Sequence, residues 1–305
     1  MMRTPISVTC DDASVREKLE AWVRRCGIVP PNKLSFRVMI GSPDTHKGSR
    51  RVFRQPAVEI RSGPPDCGVH ISWVTAPAIA SIPGGSSEAS VVLSPTATSM
   101  MGTCVETFLI TVLIFLLRRA GWHHVHGATA RDPQGRGWLI AGDARAGKST
   151  TAALLASRGW PVGTDDTAFL VDDDERVSVK ACHGPIALRK GGYTLLGRNV
   201  GELLQRRQKM AVWPEDLGAT WLPSVEPDML LFTTVGDRVS KAEPIGAREA
   251  LTELVRWSAW VVLEPELAQE HLDLLTKLAK QAQGYRVTLG RDLFDHPNRL
   301  AELIP

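Results

Sequence analysis

Residues Gly142-Asp143-Ala144-Arg145-Ala146-Gly147-Lys148-Ser149 place two glycines ahead of a lysine and a hydroxyl, in the order G-x-x-x-x-G-K-S. That order suits a loop that holds phosphate. Glycines let the backbone curl so that its N–H groups face inward at phosphate oxygens. A helix starting at the loop's end adds partial positive charge. Lys148 is then within reach of β- and γ-phosphates, and the Ser149 hydroxyl is a Mg²⁺ ligand. The context agrees: Trp138–Ala141 reads as a strand before the loop and Thr150–Ala156 as a helix after it. The expected ligand is a nucleotide with Mg²⁺, with Gly142 to Thr150 as the binding segment.

Two further sets of residues have chemistry that fits a phosphoryl-transfer site. Gly163-Thr164-Asp165-Asp166 follows a short apolar run, Trp160–Val162. One carboxylate there suits the metal, and a second suits the proton of an attacking hydroxyl. Neighbouring acids point in different directions, which fits two roles. Upstream, His123, His124 and His126 lie on one strand-like run. Alternation puts His124 and His126 on one face and His123 on the other. His126 is the candidate to sit near the transferring phosphate. No third ligand supports a zinc site for the pair.

These side chains need a scaffold. Trp122–Ala130 and Arg136–Ala141 read as two strands joined by the turn Asp132-Pro133-Gln134-Gly135. The loop leads into a helix from Lys148 to Arg158 that Gly159 stops. Ala168–Val171 and Arg176–Ala181 read as strands around the acidic turn Asp172–Glu175. Met229–Val235 and Arg238–Pro244 read as a hairpin around Gly236-Asp237. Helices are expected at 246–258, 264–282 and 296–303, with a strand at Tyr285–Leu289. Hairpins mixed with strand-loop-helix units predict an α/β fold with a mixed sheet. Before residue 95 the pattern is sparser: a helix Ser14–Arg25, and strands Leu34–Ile40, Ala57–Ile60 and Val69–Val74. Segments 41–50 and 81–90 read as loops. The expected organisation is a small α+β module, 1–95, and a nucleotide-binding domain, 100–305.

Taken as a set, His126-Gly127-Ala128-Thr129, the glycine loop, Ser157-Arg158-Gly159 and Gly163-Thr164-Asp165-Asp166 resemble the HPr serine kinase/phosphorylase family. The resemblance covers residues 105–190 well and the remainder in outline. It implies a P-loop kinase domain of the HPr kinase/phosphoenolpyruvate carboxykinase type, using ATP and Mg²⁺ to phosphorylate a serine hydroxyl of a protein or peptide. It also implies roles: Gly142, Gly147 and Lys148 on the triphosphate, Ser149 and Asp166 on the metal, Asp165 as base, His126 assisting. The family's second glycine-rich signature is absent from Cys182–Gly192, which counts against phosphorylase activity and against HPr as the acceptor. The chain looks closer to HPr-kinase-like proteins that act on precursor peptides, such as those of lasso peptides.

Composition narrows the alternatives. The 305 residues carry 36 basic and 33 acidic side chains, a net charge of +3, so no polyelectrolyte partner or nucleic acid is implied. Cys10, Cys26, Cys67, Cys104 and Cys182 are scattered, odd in number and without a Cys-x-x-Cys pair, which suits free thiols in the cytoplasm. The apolar run Phe108–Leu117 is half the roughly 20 residues a membrane crossing needs, so a buried helix ending at Arg118 and Arg119 is expected, and no membrane partner. A homo-oligomer is compatible with these features. Arg189, Lys190, Arg198, Arg206, Arg207 and Lys209 are candidate contacts for phosphate or an acidic acceptor. Other readings of the same motifs are a nucleotide-binding regulator without transfer activity, a small-molecule hydroxyl kinase and a phosphate-loop hydrolase.

Overall fold

The computed structural model describes residues 6–44, 50–62, 68–197, 209–236, 238–296 and 299–303. It is a mixed α/β structure that divides into two compact units. One comprises Met1–His123 with Leu263–Pro265, the other His124–Val262 with Glu266–Pro305. The sequence changes character near residue 100; the packing divides at His123/His124.

The first unit is built on a seven-stranded sheet. Its strands are β1 (Ile6–Cys10), β2 (Leu34–Ile40), β3 (Arg50–Arg54), β4 (Val58–Ser62), β5 (Val69–Trp73), β6 (Ala78–Ile82) and β7 (Glu88–Leu93), in the order β1-β2-β7-β6-β5-β4-β3. β1, β2 and β7 run parallel, and the rest alternate. α1 (Ala13–Cys26) begins where the Asp12 carboxylate accepts the Val15 N–H at 2.9 Å, and ends at Gly27 in the left-handed region. Val15, Leu19, Trp22, Val23 and Cys26 form its buried stripe, and Trp22 meets Phe36 edge-on at 6.1 Å. Strands β6 and β7 overlap the segment 81–90 that its Gly, Ser and Pro content marks as a loop.

The apolar run forms the second half of a longer helical stretch. Short helices α2 (Pro95–Ser99) and α3 (Met101–Cys104) lead through a π-helical turn, Val105–Leu109, into α4 (Ile110–Arg118). Met101–Arg118 is long and apolar enough to cross a membrane, and 72% of it is buried inside the fold. Arg118 and Arg119 do more than face the helix dipole: both are buried and both pair with Glu264, Arg118 at 3.0 Å.

The second unit holds the chemistry-bearing residues on an eight-stranded mixed sheet. Its strands are β8 (His123–Arg131), β9 (Gly137–Gly142), β10 (Thr167–Asp173), β11 (Arg176–Ala181), β14 (Ser224–Val225), β15 (Pro227–Val235), β16 (Lys241–Ile245) and β17 (Gln283–Leu289). Their order is β14-β11-β10-β8-β9-β15-β17-β16, and a separate pair joins β12 (Ile186–Leu188) to β13 (Met210–Val212). The β8–β9 hairpin turns at Asp132, whose buried carboxylate accepts from Arg136 N, Arg136 Nε and Trp138 Nε1. Trp138 meets Trp160 edge-on at 4.9 Å in the core beside the glycine loop.

One expected pairing is replaced. Met229–Val235 and Arg238–Pro244 do not form a hairpin. β15 pairs in parallel with β9 on one side and β17 on the other, and β16 lies beyond β17, antiparallel to it. The helices Ala247–Arg256 and Pro265–Gln281 carry the chain back so that β17 enters between them. Parallel neighbours need such a crossover, and a buried central strand gains more from two partners than from a tight turn. Trp160–Val162 contributes a single bridging residue, Val162, which touches Ala130 and Trp221. Arg198, Arg206, Arg207, Asp237 and Cys67 lie outside the described residues.

Candidate functional site

β9, β15 and β17 are parallel, so their carboxyl ends share one edge of the sheet, where open α/β sheets bind ligands. The glycine loop leaves β9 at that edge and enters helix α5 (Lys148–Ala156). Ala146 N–H bonds back to Asp143 O at 3.1 Å, and Thr151 N–H to Gly147 O at 2.8 Å, closing the loop and starting the helix. Gly147 has φ +92°, and a β-carbon there would come within 2.4 Å of Leu289 Cδ1. The left-handed backbone angle favours glycine here, and a side chain would also have to displace the Leu289 methyl.

Lys148 is buried, and its Nζ donates to Gly142 O at 2.9 Å and Asp143 O at 3.0 Å. The ammonium therefore sits inside the curl. Burial lowers its pKa, while Asp166, Asp165 and Asp143 pull it back up.

Gly163-Thr164 fastens the acidic pair to β8: Gly163 N–H bonds to Thr129 O and Thr129 N–H to Thr164 O, both at 3.0 Å. A β-carbon on Gly163 would lie 2.3 Å from Thr129 Oγ1, so this contact also needs glycine. The Thr164 hydroxyl accepts from Asp166 N at 3.3 Å and Thr167 N at 3.2 Å, a turn that sends the two carboxylates to different neighbours.

Asp165 is only 8% exposed. It accepts the Ala187 N–H at 3.0 Å, and the nearby Ser149 hydroxyl helps to hold its pKa down. Burial raises its pKa, against the Ala187 hydrogen bond, and the adjacent Asp166 charge raises it further. Asp166 opens to the cleft, its side chain 69% exposed, and its Oδ1 lies 2.8 Å from His126 Nδ1. The surrounding protein pushes this carboxyl up, but the hydrogen bond and charge of His126 outweigh that and lower it to about 2. Two adjacent acids are thus driven in opposite directions, as groups with separate tasks are.

His124 does not line the cleft with this pair. Its ring is buried edge-on to Phe169 at 5.9 Å and Trp260 at 6.0 Å. Of the three histidines, His126 alone lines the cleft.

The cleft is about 510 Å³, within the roughly 300–1,000 Å³ of small-molecule sites. It gathers the expected Ala144 to Thr150, His126, Asp165 and Asp166, together with two of the basic candidates, Arg189 and Lys209. The sequence offered no sign of a further part of the wall: Val235, Leu289, Leu293 and Phe294. Ser149 and Asp165 are hard oxygen donors that line the same cleft. Among the described residues no three His, Cys, Asp or Glu side chains group as a metal cage. That sparse oxygen set fits Mg²⁺, which takes its other ligands from water and phosphate, and does not fit zinc. Among the described residues Cys10, Cys26, Cys104 and Cys182 are buried, and burial pushes Cys104 to about 12.

No family model matches the sequence, and no curated protein matches it. Among solved structures the chain is similar to the Hpr(Ser) kinase/phosphatase from Coxiella burnetii. That match covers 59% of this chain and 94% of the other, at 13% identity and a TM-score of 0.31. A likeness so distant assigns neither residues nor activity here.

Proposed function

We propose that this protein is an ATP- and Mg²⁺-dependent kinase of the cytoplasm that transfers the γ-phosphoryl group to a serine hydroxyl of a protein or peptide. One observation carries the reading: Lys148, Ser149, Asp165 and the Asp166–His126 pair line a single cleft at the carboxyl edge of the parallel strands.

The contacts support the following division of labour. Backbone N–H groups of the loop and Lys148 bind the triphosphate. Ser149 and Asp165, which line the same cleft, would hold Mg²⁺, which supplies charge neutralisation at the phosphates when bound. Asp166, lowered to about 2, stays ionised throughout the working range, so it suits an orienting anion better than a proton acceptor. It fixes His126 at Nδ1 and leaves Nε2 for the acceptor hydroxyl. As the serine oxygen bonds to the γ-phosphorus, the bond to the bridging oxygen breaks, ADP leaves, and His126 takes the hydroxyl proton. This exchanges the roles that the sequence suggested for the two acids. The carboxylate beside the Ser149 hydroxyl is Asp165, and the one beside the imidazole is Asp166. The open position of Asp166 favours an acceptor delivered from solvent on a chain over a small molecule enclosed with the nucleotide.

The test is incubation with γ-labelled ATP, Mg²⁺ and a library of serine-bearing peptides, followed by mass spectrometry. Phosphoserine that disappears in the Lys148→Ala variant is the expected result. ATP binding with no transfer to any hydroxyl would leave a nucleotide-binding regulator instead.

A further inference from the structure

The wall of the cleft opposite the acids is apolar and has no part in phosphate chemistry. β15 and β17 end side by side there, with Val235 paired to Leu289 in register. Leu289 and Val235 both reach Gly147: a β-carbon built on that glycine meets Leu289 Cδ1 at 2.4 Å and Val235 Cγ2 at 3.7 Å. Just beyond Leu289, the short helix Asp292–Asp295 carries Leu293 inward and Phe294 outward. The Phe294 ring faces the next wall, where a β-carbon on Gly191 would lie 4.0 Å from Cζ. Gly192 stands against Thr150 Oγ1, at the start of α5. The apolar wall therefore continues from the glycine loop on the side away from Asp165 and Asp166. Strand order imposes this: β8 and β10, which carry or follow the acids and His126, flank β9 on one side, and β15 and β17 flank it on the other.

Two of these side chains are open to solvent. Phe294 is 50% exposed and Val235 64%, both on the rim of the same cleft. A large aromatic and a branched aliphatic side chain held in water beside a ligand cleft are groups that gain by being covered.

We infer that this wall is the subsite for the heteroaromatic base of a nucleoside triphosphate, with Phe294 stacking on the base and Val235, Leu289 and Leu293 backing it. The inference rests on the nucleotide-binding reading above and extends it to the far end of the ligand. A triphosphate anchored in the loop with its terminal phosphate toward Asp165 and Asp166 has its nucleoside end on the opposite side, against these residues. Among the described residues, the side chains of this wall are hydrocarbon, so they recognise the face of a base and not its hydrogen-bonding edge. Base–aromatic stacking is tolerant of base identity for that reason.

The test measures binding, not turnover. Isothermal titration with ATP, GTP and inorganic tripolyphosphate, each with Mg²⁺, is run on the full chain and on Phe294→Ala and Phe294→Tyr. ATP binds the unaltered chain more tightly than tripolyphosphate. Phe294→Ala weakens ATP and GTP by similar factors, about tenfold, as loss of one stacking partner implies. Tripolyphosphate is unaffected, which also shows that the variant is folded, and Phe294→Tyr restores ATP binding. Equal weakening of ATP and tripolyphosphate, or ATP no tighter than tripolyphosphate on the unaltered chain, overturns the subsite and leaves the phosphate loop standing. Failure of all three ligands to bind the unaltered chain overturns the nucleotide reading itself.

Discussion

The two flanks of strand β9 share one glycine loop and differ in almost everything else. On the β8 and β10 side, His126, Asp165 and Asp166 are polar, close and mutually tuned, one acid driven up and its neighbour down. On the β15 and β17 side, Val235, Leu289, Leu293 and Phe294 offer hydrocarbon and a ring face. The contrast matches a ligand with a charged reacting end and a flat apolar one. Charged groups need hydrogen bonds placed to a few tenths of an ångström, because low dielectric makes each misplaced partner costly. An apolar wall needs only shape and area. The polar flank should therefore be fragile to substitution and the apolar flank forgiving.

The sharpest blow falls between the flanks. Lys148→Ala removes the cation from the curl and should lower kcat/KM by about 10³-fold or more, the scale of losing a principal transition-state charge partner. Steady-state kinetics with γ-labelled ATP reads this, and near-normal turnover would remove the loop from the reaction. Next comes the polar flank. His126→Ala and Asp166→Asn should each lower kcat by about 10²–10⁴, with ATP binding retained, as loss of a proton acceptor or its orienting anion does. Because the two act as one unit through the 2.8 Å contact, the double variant should be no worse than the worse single. Additive losses would separate Asp166 from His126 and return the roles to those the sequence suggested.

How much of this was readable from the chain follows from the same contrast. The polar flank and loop need fixed residue types at short spacing, so Gly142 to Ser149 and Asp165-Asp166 stand out in the sequence. The strands that hold them, β8 and β9, β10 and β11, show their alternation and turns within a few residues. The apolar flank is assembled by parallel pairing of β15 with β17, which are far apart in the chain. Val235, Leu289 and Phe294 look like any core residues until that pairing exists. The same long-range pairing replaces the expected hairpin at Gly236, because a turn signal carries no information about strand partners. In the first unit, Pro83-Gly84-Gly85 joins β6 to β7, and the breaker residues of that turn hid the strands on either side.

The smallest effect, and the one that probes tuning directly, concerns Asp165 and stability. Burial raises its pKa, so the folded protein holds that proton more tightly than the unfolded chain does. Below the unfolded value, about 3.9, the carboxyl is protonated in both states and costs nothing. As pH rises above that value the unfolded chain ionises first, so the cost accumulates with pH and is complete only above the folded pKa. Asp165→Asn keeps an acceptor for Ala187 N–H and removes the charge. At pH 7 it should melt higher than the unaltered protein, by roughly 2–4 °C for each kcal/mol relieved in a unit of this size. The gap should close as pH falls toward 4, followed by thermal melts across that range. The same variant should need more Mg²⁺ for nucleotide binding, since Ser149 would lose its carboxylate partner. A melting point at pH 7 equal to or below that of the unaltered protein would mean that Ser149 and Ala187 fully offset the burial. The acid would then be a satisfied structural group, and the polar flank would hold one tuned carboxylate instead of two.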